Sequence, residues 1–202
     1  MAGAGIKVAK HGNYGVSSVS GSSNVMEHLG YKFTNSISAL QIQIEKAGIC
    51  FLHAPLFHPA MKNVAPIRKE LGVKTFFNML GPLVNPARPK YQSTGVYSLE
   101  LARMYRYLLQ SSGSSFRILH SKDGYDEISL TSEAKMLHEN GEDTLQPSVF
   151  GFSLVKQEEL NGGNSVKEAG EIFLSVLNGT STPAQKNVVL ANAAVAISCA
   201  KN

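Results

Sequence analysis

The stretch ISALQIQIEKAGICFLH, residues 37–53, contains a helical pattern followed directly by a short apolar strand pattern. Ile37, Leu40 and Ile44 recur at the spacing of one helical face, and Gly48 is a typical residue for a helix end. The ICFLH run after it has the length and composition of a buried strand. The stretch therefore predicts one helix–strand unit of an α/β fold.

The same alternation of short strands and helices continues along the chain. Strand patterns lie at 6–10, 93–97 and 116–121, and helical patterns lie at 24–29, 61–71, 99–109 and 183–200. Asn24 with Glu27 is interpreted as a capping box at the start of the first of these helices. The last helix has an almost wholly apolar middle and is expected to be buried. This pattern predicts an α/β fold with a mainly parallel central sheet flanked by helices.

Length and composition limit the class of protein. The 202 residues are 43% hydrophobic and 17% charged, which fits one folded domain over 1–202 and excludes a disordered chain. No apolar run approaches the ~18–20 residues that cross a bilayer, and the N-terminus does not resemble a secretory signal. Cys50 and Cys199 lie in apolar sequence, which predicts a reducing, cytoplasmic location rather than a zinc or disulfide scaffold. The net charge of +4 is mild and fits a polyanion, a small phosphorylated substrate or no charged partner at all.

The first candidate site follows the strand pattern at 6–10, where the chain reads KHGN and continues through several serines and glycines. Lys10 supplies a positive charge, and the backbone N–H groups of a loop that opens a helix can bind an anion. Ser17, Ser18 and Ser22 add hydroxyl groups as hydrogen-bond donors. The pattern fits a phosphate site, and a polar turn between strand and helix is the alternative that spacing leaves open.

The second candidate site is DGYDE, residues 123–127, which follows the strand pattern at 116–121. Mg²⁺ usually takes one or two carboxylates, several waters and phosphate oxygens, so Asp126 and Glu127 could hold it. Taken alone, the motif favours a solvated acidic turn that bends at Gly124. Both interpretations remain open at this point.

The third candidate site follows the strand of residues 49–53 and reads HAPLFHPAM. His58, Met61 and Arg68 would provide an imidazole, a flexible thioether and a guanidinium, which suit an aromatic carboxylate. An exposed Arg68 paired with Glu70 is the more frequent alternative. The six histidines show no HxH or HxxxH spacing, which argues against a histidine metal site.

The chain resembles anthranilate phosphoribosyltransferases in five segments that occur in the same order. These segments are AKHGN (9–13), SSVSGSSNVMEHLG (17–30), the block 51–87 that contains HPAMK and LGPLVNPA, DGYDEIS (123–129) and TPAQKNVVLANAAVA (182–196). The resemblance extends over nearly the whole chain, and the HPAMK to LGPLVNP series is highly specific. It implies the large domain of the nucleoside phosphorylase/phosphoribosyltransferase-like fold.

The resemblance also implies a reaction. Members of the family transfer phosphoribosyl from 5-phosphoribosyl 1-diphosphate to the amine of anthranilate, in tryptophan biosynthesis, with Mg²⁺ and as homodimers. An aryl amine is uncharged at neutral pH, so we expect no catalytic nucleophile or strong base in the protein. The chemistry instead requires the reactants to be held in line and the departing charge to be neutralised.

The site residues that the resemblance implies fall into three groups. Those for 5-phosphoribosyl 1-diphosphate are Lys10, His11, Gly12, Asn13, Ser17, Ser18 and Ser22. Those for anthranilate are Asn13, His58, Met61 and Arg68. Those for Mg²⁺ are Asp126 and Glu127.

The chain departs from the family pattern in several places. Tyr14 stands where the family usually has Arg, and Val19 stands where it usually has Lys, which removes two positive charges beside the diphosphate. The glycine-rich GTGGD loop, the TFNIS-like segment, an N-terminal helical region and a C-terminal segment are not in the sequence. We therefore expect a fragment with most of the α/β domain and little or no transferase activity alone.

Two alternative functions are considered, one enzymatic and one from another class. A pyrimidine-nucleoside phosphorylase of the same superfamily fold is disfavoured by the HPAMK and LGPLVNPA motifs. A nucleic-acid-binding relative without transferase activity would need clustered positive charge, whereas the 19 Lys and Arg residues are scattered. The transferase remains the main hypothesis.

Overall fold

The chain divides into two compact units. The protein is represented by a computed structural model, which describes residues 1–15, 20–59, 70 and 79–201. One unit contains residues 1–88 and 162–177, and the other contains residues 89–161 and 178–202. The helix predicted at 61–71 lies outside the described residues, apart from Glu70. Within the described ranges, no helix is both long enough and apolar enough to cross a membrane.

The first unit contains a two-stranded parallel sheet. Strand β1 (Val8–Gly12) pairs with β2 (Ile49–His53), so that Lys10 lies opposite Phe51. The helices described in this unit are α1 (Ser22–His28), α2 (Ile37–Ala47), α3 (Ala54–Phe57) and α5 (Val166–Asn178). The predicted strand at residues 49–53 is therefore confirmed at both ends.

Helix α2 covers β2 as its periodicity predicts. It ends at Gly48, which adopts the left-handed conformation (φ 69°) that stops the helix. Leu40 from the helix and Cys50 and Leu52 from the strand are buried together and form the core of this unit. Leu40 and Ile44 thus pack onto the sheet, whereas Ile37 and Ile42 remain 68% and 51% exposed.

Helix α1 begins earlier than the sequence predicts. Gly21 is the N-cap, and Asn24 is the third helical residue, where its Oδ1 accepts a hydrogen bond from the Gly21 N–H at 3.0 Å. Glu27, the expected partner of Asn24 in a capping box, accepts from the Tyr14 hydroxyl instead. The predicted Asn24–Glu27 capping box is therefore wrong, because Asn24 itself satisfies the N-cap amide.

The second unit is built on a four-stranded mixed sheet. Its strands are β3 (Tyr91–Gly95), β4 (Ser115–Ser121), β5 (Ala134–His138) and β6 (Gly141–Leu145), in the order β3-β4-β5-β6. The first pair is parallel, and the other two pairs are antiparallel. The α/β class is confirmed, but this second sheet is mixed rather than mainly parallel. The difference from the prediction arises from the β5–β6 hairpin, which adds antiparallel strands to the sheet. Its second strand is polar and resembles a loop in the sequence.

Two helices cover this mixed sheet. Helix α4 (Leu99–Gln110) contributes a buried face, and helix α6 (Pro183–Lys201) packs through Ala191 and Val195 against a core with Leu119, Ile128, Leu130 and Ala134. The predicted burial of the last helix is confirmed on this side. Its other side is more open, since Val189 is 48% exposed and Leu190 is 46% exposed.

Candidate functional site

Lys10 lies near the end of β1 and points its amine toward the start of α1. Its Nζ donates a hydrogen bond to Ser22 Oγ at 2.7 Å and lies 5.8 Å from the centre of the Phe51 ring. Burial lowers the pKa of Lys10. A bound anion would oppose this shift, because a nearby negative charge stabilises the protonated amine. The structure therefore brings two of the predicted anion-binding groups, Lys10 and Ser22, into direct contact.

Two histidines of the predicted site are also in contact. The His11 Nδ1 lies 3.0 Å from the carbonyl oxygen of Gly81, and its Nε2 lies 3.2 Å from the His58 Nε2. A carbonyl only accepts hydrogen bonds, so His11 carries its proton on Nδ1 and, when neutral, accepts from His58. Burial lowers the pKa of His11, and the Gly81 hydrogen bond partly opposes this effect. The pair therefore has a defined arrangement of protons.

Gly12 and Asn13 are the remaining described residues predicted to bind 5-phosphoribosyl 1-diphosphate. Gly12 lies so close to the Lys10–Ser22 pair that a Cβ at this position would lie 2.9 Å from Lys10 Nζ and 3.5 Å from Ser22 Oγ. Asn13 is exposed, and its Oδ1 accepts from the backbone N–H of Tyr14 at 2.8 Å. The other predicted residues, Ser17, Ser18, Met61 and Arg68, lie outside the described residues.

Tyr14, the residue that replaces the Arg expected from the resemblance, contacts the protein itself. Its hydroxyl donates to Glu27 Oε1 at 3.2 Å, and its ring packs edge-to-face on His53 with 4.7 Å between the ring centres. His53 is buried, stacks on Phe33 at 4.3 Å and lies 3.3 Å from the Ser23 hydroxyl through its Nδ1. Tyr14 thus joins β1 to α1 and β2 rather than supplying a charge.

The acidic loop of the second unit, residues 123–127, contains carboxylates in two different environments. The Asp123 carboxylate accepts hydrogen bonds from the hydroxyls of Thr131 and Ser129. Asp126 and Glu127 are exposed, and within the described ranges neither carboxylate has a hydrogen bond or an ion pair. Although the Glu127 residue as a whole is exposed, nearby protein atoms partly desolvate its carboxyl and raise its pKa, and the charge of Asp126 adds to this shift. Asp123 is therefore structural, whereas Asp126 and Glu127 are available to a ligand.

Mg²⁺ fits this pair of carboxylates. Among the described residues there is no group of three or more His, Cys, Asp or Glu side chains that could enclose a metal. Two exposed carboxylates suit a cation that keeps most of its waters and takes further oxygens from a substrate phosphate. A bound cation would also oppose the raised pKa of Glu127, because a nearby positive charge stabilises the ionised carboxylate.

Three residues that the sequence analysis missed hold the acidic loop in place. The buried Ser121 hydroxyl donates to the Glu127 carbonyl, and Asn192 from α6 contacts both backbone groups of Ile128. Gly95, at the end of β3, lies directly against the Asp126 carbonyl. Asn192 lies within the LANAA sequence of α6, but no local pattern indicates that it reaches a loop 64 residues away.

Acidification is expected to destabilise the first unit. Burial lowers the pKa of both His11 and His53 below 6.5, so the unfolded chain binds protons first as the pH falls. The contribution of these two neutral histidines to the free energy of unfolding is therefore fully present above pH 6.5. It is lost as the pH falls through their lower pKa in the folded state. Urea unfolding between about pH 8 and pH 5 measures this loss, which we expect to be smaller in His53→Phe. An equal loss in both proteins would show that His53 does not contribute.

Curated relatives are named anthranilate phosphoribosyltransferase. A relative from Flavobacterium psychrophilum is 61% identical over 201 residues, and one from Christiangramia forsetii is 62% identical over 201 residues. Both alignments include 100% of this chain and 61% of the relative. The chain thus spans about three fifths of the length of the curated relatives it matches.

Solved structures with this fold include the anthranilate phosphoribosyltransferase of Thermus thermophilus, with a TM-score of 0.90 and 35% identity over 98% of this chain and 60% of that one. A Saccharomyces cerevisiae enzyme in complex with 4-fluoroanthranilate has a TM-score of 0.82 and 30% identity, over 98% of this chain and 56% of that one. The same yeast enzyme in complex with PRPP and Mg has a TM-score of 0.71 and 28% identity, over 93% and 60%. The nucleoside phosphorylase/phosphoribosyltransferase-like fold is confirmed.

A sequence model of one protein family matches this chain. This model describes the a/b domain of a glycosyl transferase family and matches residues 1–202. The match includes the Lys10 and His58 region of the first unit and the acidic loop of the second. The chain therefore belongs to the glycosyl transferase family and carries its a/b domain.

Proposed function

We propose that the full-length protein carrying this sequence is an anthranilate phosphoribosyltransferase. It transfers phosphoribosyl from 5-phosphoribosyl 1-diphosphate to the amine of anthranilate, which gives N-(5-phosphoribosyl)anthranilate and diphosphate in tryptophan biosynthesis. The observation that carries this proposal is the contact of Lys10 with Ser22 beside the His11–His58 pair. The names of the relatives, at 61% and 62% identity, support it.

The first substrate, 5-phosphoribosyl 1-diphosphate, binds at the end of β1. Lys10 offers an ammonium group and Ser22 a hydroxyl, and the two groups are hydrogen-bonded to each other at 2.7 Å. Both can instead donate hydrogen bonds to phosphate oxygens of the substrate. The further residues of this group, carried over from the family resemblance, are His11, Gly12, Asn13, Ser17 and Ser18. The complex of the yeast enzyme with PRPP and Mg supports a site for this substrate.

Anthranilate binds through a second group, Asn13, His58, Met61 and Arg68. His58 is held by its hydrogen bond to His11, whose own ring is fixed by the Gly81 carbonyl. His58 can therefore offer its remaining nitrogen, Nδ1, as an acceptor in a fixed orientation. The complex of the yeast enzyme with 4-fluoroanthranilate supports an aromatic carboxylate as the acceptor.

The chain's residues promote transfer by position and charge. As diphosphate departs, the ribose carbon develops positive character, and the uncharged aryl amine attacks without a strong base. Lys10 stabilises negative charge on the departing diphosphate, and Ser22 donates a hydrogen bond to it. Mg²⁺, when bound, supplies further positive charge to the leaving group, and Asp126 and Glu127 are the residues that would hold it.

We infer that residues 1–202 act as one α/β transferase domain, in the cytoplasm and within a homodimer. A single family model that matches residues 1–202 supports one domain. Two buried free thiols, Cys50 and Cys199, fit a reducing compartment. The homodimer rests on the family resemblance, and sedimentation equilibrium of the full-length protein tests it.

The function is tested by following anthranilate fluorescence in the full-length protein with 5-phosphoribosyl 1-diphosphate and Mg²⁺. Consumption of anthranilate that requires both additions supports the proposal, and its absence would overturn it. Phosphorolysis of thymidine and salt-dependent retention on DNA test the two alternatives. Neither alternative is favoured by the relatives, which are named as anthranilate phosphoribosyltransferases.

Removing the acidic pair should weaken the response to metal. We expect Asp126→Asn with Glu127→Gln to raise the Mg²⁺ concentration for half-maximal activity at least about tenfold, because two carboxylate ligands become neutral. The fold should remain intact, since both side chains are exposed. Activity measured in a Mg²⁺ titration, with circular dichroism as the folding control, gives the result.

A matched control is available in the same unit. Glu142 and Asp143 are also an adjacent acidic pair, on β6, so Glu142→Gln with Asp143→Asn makes the same change in charge. This control should leave the Mg²⁺ titration within about twofold of the parent. Equal titrations for both double variants would show that the 126–127 pair is only a solvated turn.

A further inference from the structure

Asn24 joins two separate backbone segments. Its Oδ1 accepts a hydrogen bond from the N–H of Gly15 at 3.0 Å and another from the N–H of Gly21 at 3.0 Å. A side-chain carbonyl oxygen has two lone pairs, so this single atom is fully used. The bond to Gly21 caps α1, but the bond to Gly15 has no role in the helix. Asn24 therefore does more than start a helix.

The two segments are in direct backbone contact at this point. A Cβ on Gly21 would lie 2.3 Å from the Gly15 nitrogen, 2.8 Å from its Cα and 3.0 Å from the Tyr14 carbonyl carbon. Backbone atoms cannot move aside as a flexible side chain can, so glycine is required here. Gly21 permits this close approach, and Asn24 ties the two segments together.

The tied segments carry two residues of the first substrate site, Asn13 and Ser22. Asn13 is two residues before Gly15, and Ser22 directly follows Gly21 and accepts from the Lys10 amine at 2.7 Å. A second tie acts in the same direction, since the Tyr14 hydroxyl donates to Glu27 of α1 at 3.2 Å. The separation between Asn13 and Ser22 thus depends on contacts made by residues outside the substrate groups.

We propose that Asn24 is a positioning residue, which holds Asn13 and Ser22 at the separation that 5-phosphoribosyl 1-diphosphate requires. This inference rests on the proposed function and extends it to a residue that touches no substrate. Groups that are held in place before binding need not be ordered by the ligand, so their affinity is higher. Asn13 belongs to the anthranilate group as well, but the other described member of that group, His58, is held separately by His11 and by the end of α3. Binding of anthranilate should therefore depend on Asn24 less than binding of the first substrate does.

Three variants of the full-length protein separate positioning from simple stability. Asn24→Leu keeps the approximate size and removes both acceptor bonds, whereas Asn24→Asp keeps an oxygen that accepts both. Asn164→Leu makes the same chemical change at an exposed asparagine of the same unit. The KM for each substrate is measured for every variant, and isothermal titration with inorganic diphosphate reports binding without turnover.

The expected result is selective. Asn24→Leu should raise the KM for 5-phosphoribosyl 1-diphosphate on the order of tenfold, and weaken diphosphate binding similarly, because two hydrogen bonds are lost. The KM for anthranilate should change less, by about threefold or less, because Asn24 holds Asn13 of that group but not His58. Asn24→Asp and Asn164→Leu should remain within about threefold of the parent in all three measurements.

Two outcomes would overturn the proposal. One is an equal change in both KM values in Asn24→Leu, which would indicate general damage to the fold. The other is an Asn24→Asp variant as defective as Asn24→Leu, because the acceptor oxygen would then be irrelevant. A parent that binds diphosphate but consumes no anthranilate would contradict the proposed function alone, and the diphosphate titrations would still decide the role of Asn24.

Discussion

Gly95→Ala should be the most damaging single substitution in the second unit. A Cβ at this position would lie 1.4 Å from the carbonyl oxygen of Asp126 and 2.5 Å from its carbonyl carbon, so the acidic loop must move or the strand must break. We expect the free energy of unfolding to fall by about 3 kcal/mol or more, at the upper end of the range for overpacking. Urea unfolding followed by circular dichroism measures the change.

The same substitution should also weaken the response to Mg²⁺. Any relaxation around a new Cβ displaces the Asp126 backbone, and with it the candidate carboxylates. Gly141→Ala is the matched control, because a Cβ there would meet only His138, at 3.9 Å or more. Failure of Gly95→Ala to yield folded protein supports the prediction, whereas stability equal to that of Gly141→Ala would contradict it.

Asn192→Leu should have the second largest effect. The Asn192 Oδ1 accepts from the Ile128 N–H at 3.0 Å, and its Nδ2 donates to the carbonyls of Ile128 at 2.8 Å and Val188 at 2.9 Å. Ile128 is only 2% exposed, so water cannot replace these partners. Leaving two buried backbone groups unsatisfied costs about 2–4 kcal/mol. Thermal and urea unfolding of the purified variant measure this loss.

Asn192→Asp provides the comparison within the same site. It keeps the acceptor for the Ile128 N–H and loses the donor to the two carbonyls, so its stability should lie between those of the parent and Asn192→Leu. A leucine variant as stable as the parent would show that Asn192 does not anchor the loop. A loss of stability without any change in the Mg²⁺ response would show that Asn192 stabilises the core but does not position the carboxylates of the acidic loop.

Local pattern was sufficient for several elements of the fold. Leu40 and Ile44 predicted the packed face of α2 and Gly48 predicted its end, as the structure confirms, whereas Ile37 of the same predicted face is 68% exposed. The apolar strand that follows, Ile49–His53, was predicted at both ends. These features depend on neighbours within a few residues, so periodicity and the conformational freedom of glycine are enough to define them.

Local pattern failed where a polar residue had a distant or competing partner. The β6 strand reads GEDTL, a polar run that does not show the apolar pattern of a strand, and among the described strands it pairs only with the preceding β5. Asn24 was expected to begin a helix with Glu27, but its oxygen binds Gly15 and Gly21 instead. In both cases the observed contact depends on how two segments meet, and hydrophobic spacing does not encode that.

The sequence by itself determined the α/β class, the family resemblance and the residue types of the candidate sites, because these follow from local pattern and motif order. Only the tertiary structure decided which carboxylates of the acidic loop are available, since Thr131 and Ser129 engage Asp123 and leave Asp126 and Glu127 exposed. It also decided which residues hold the sites. Hydrogen bonds form between atoms that the fold brings within about 3 Å, whatever their separation along the chain.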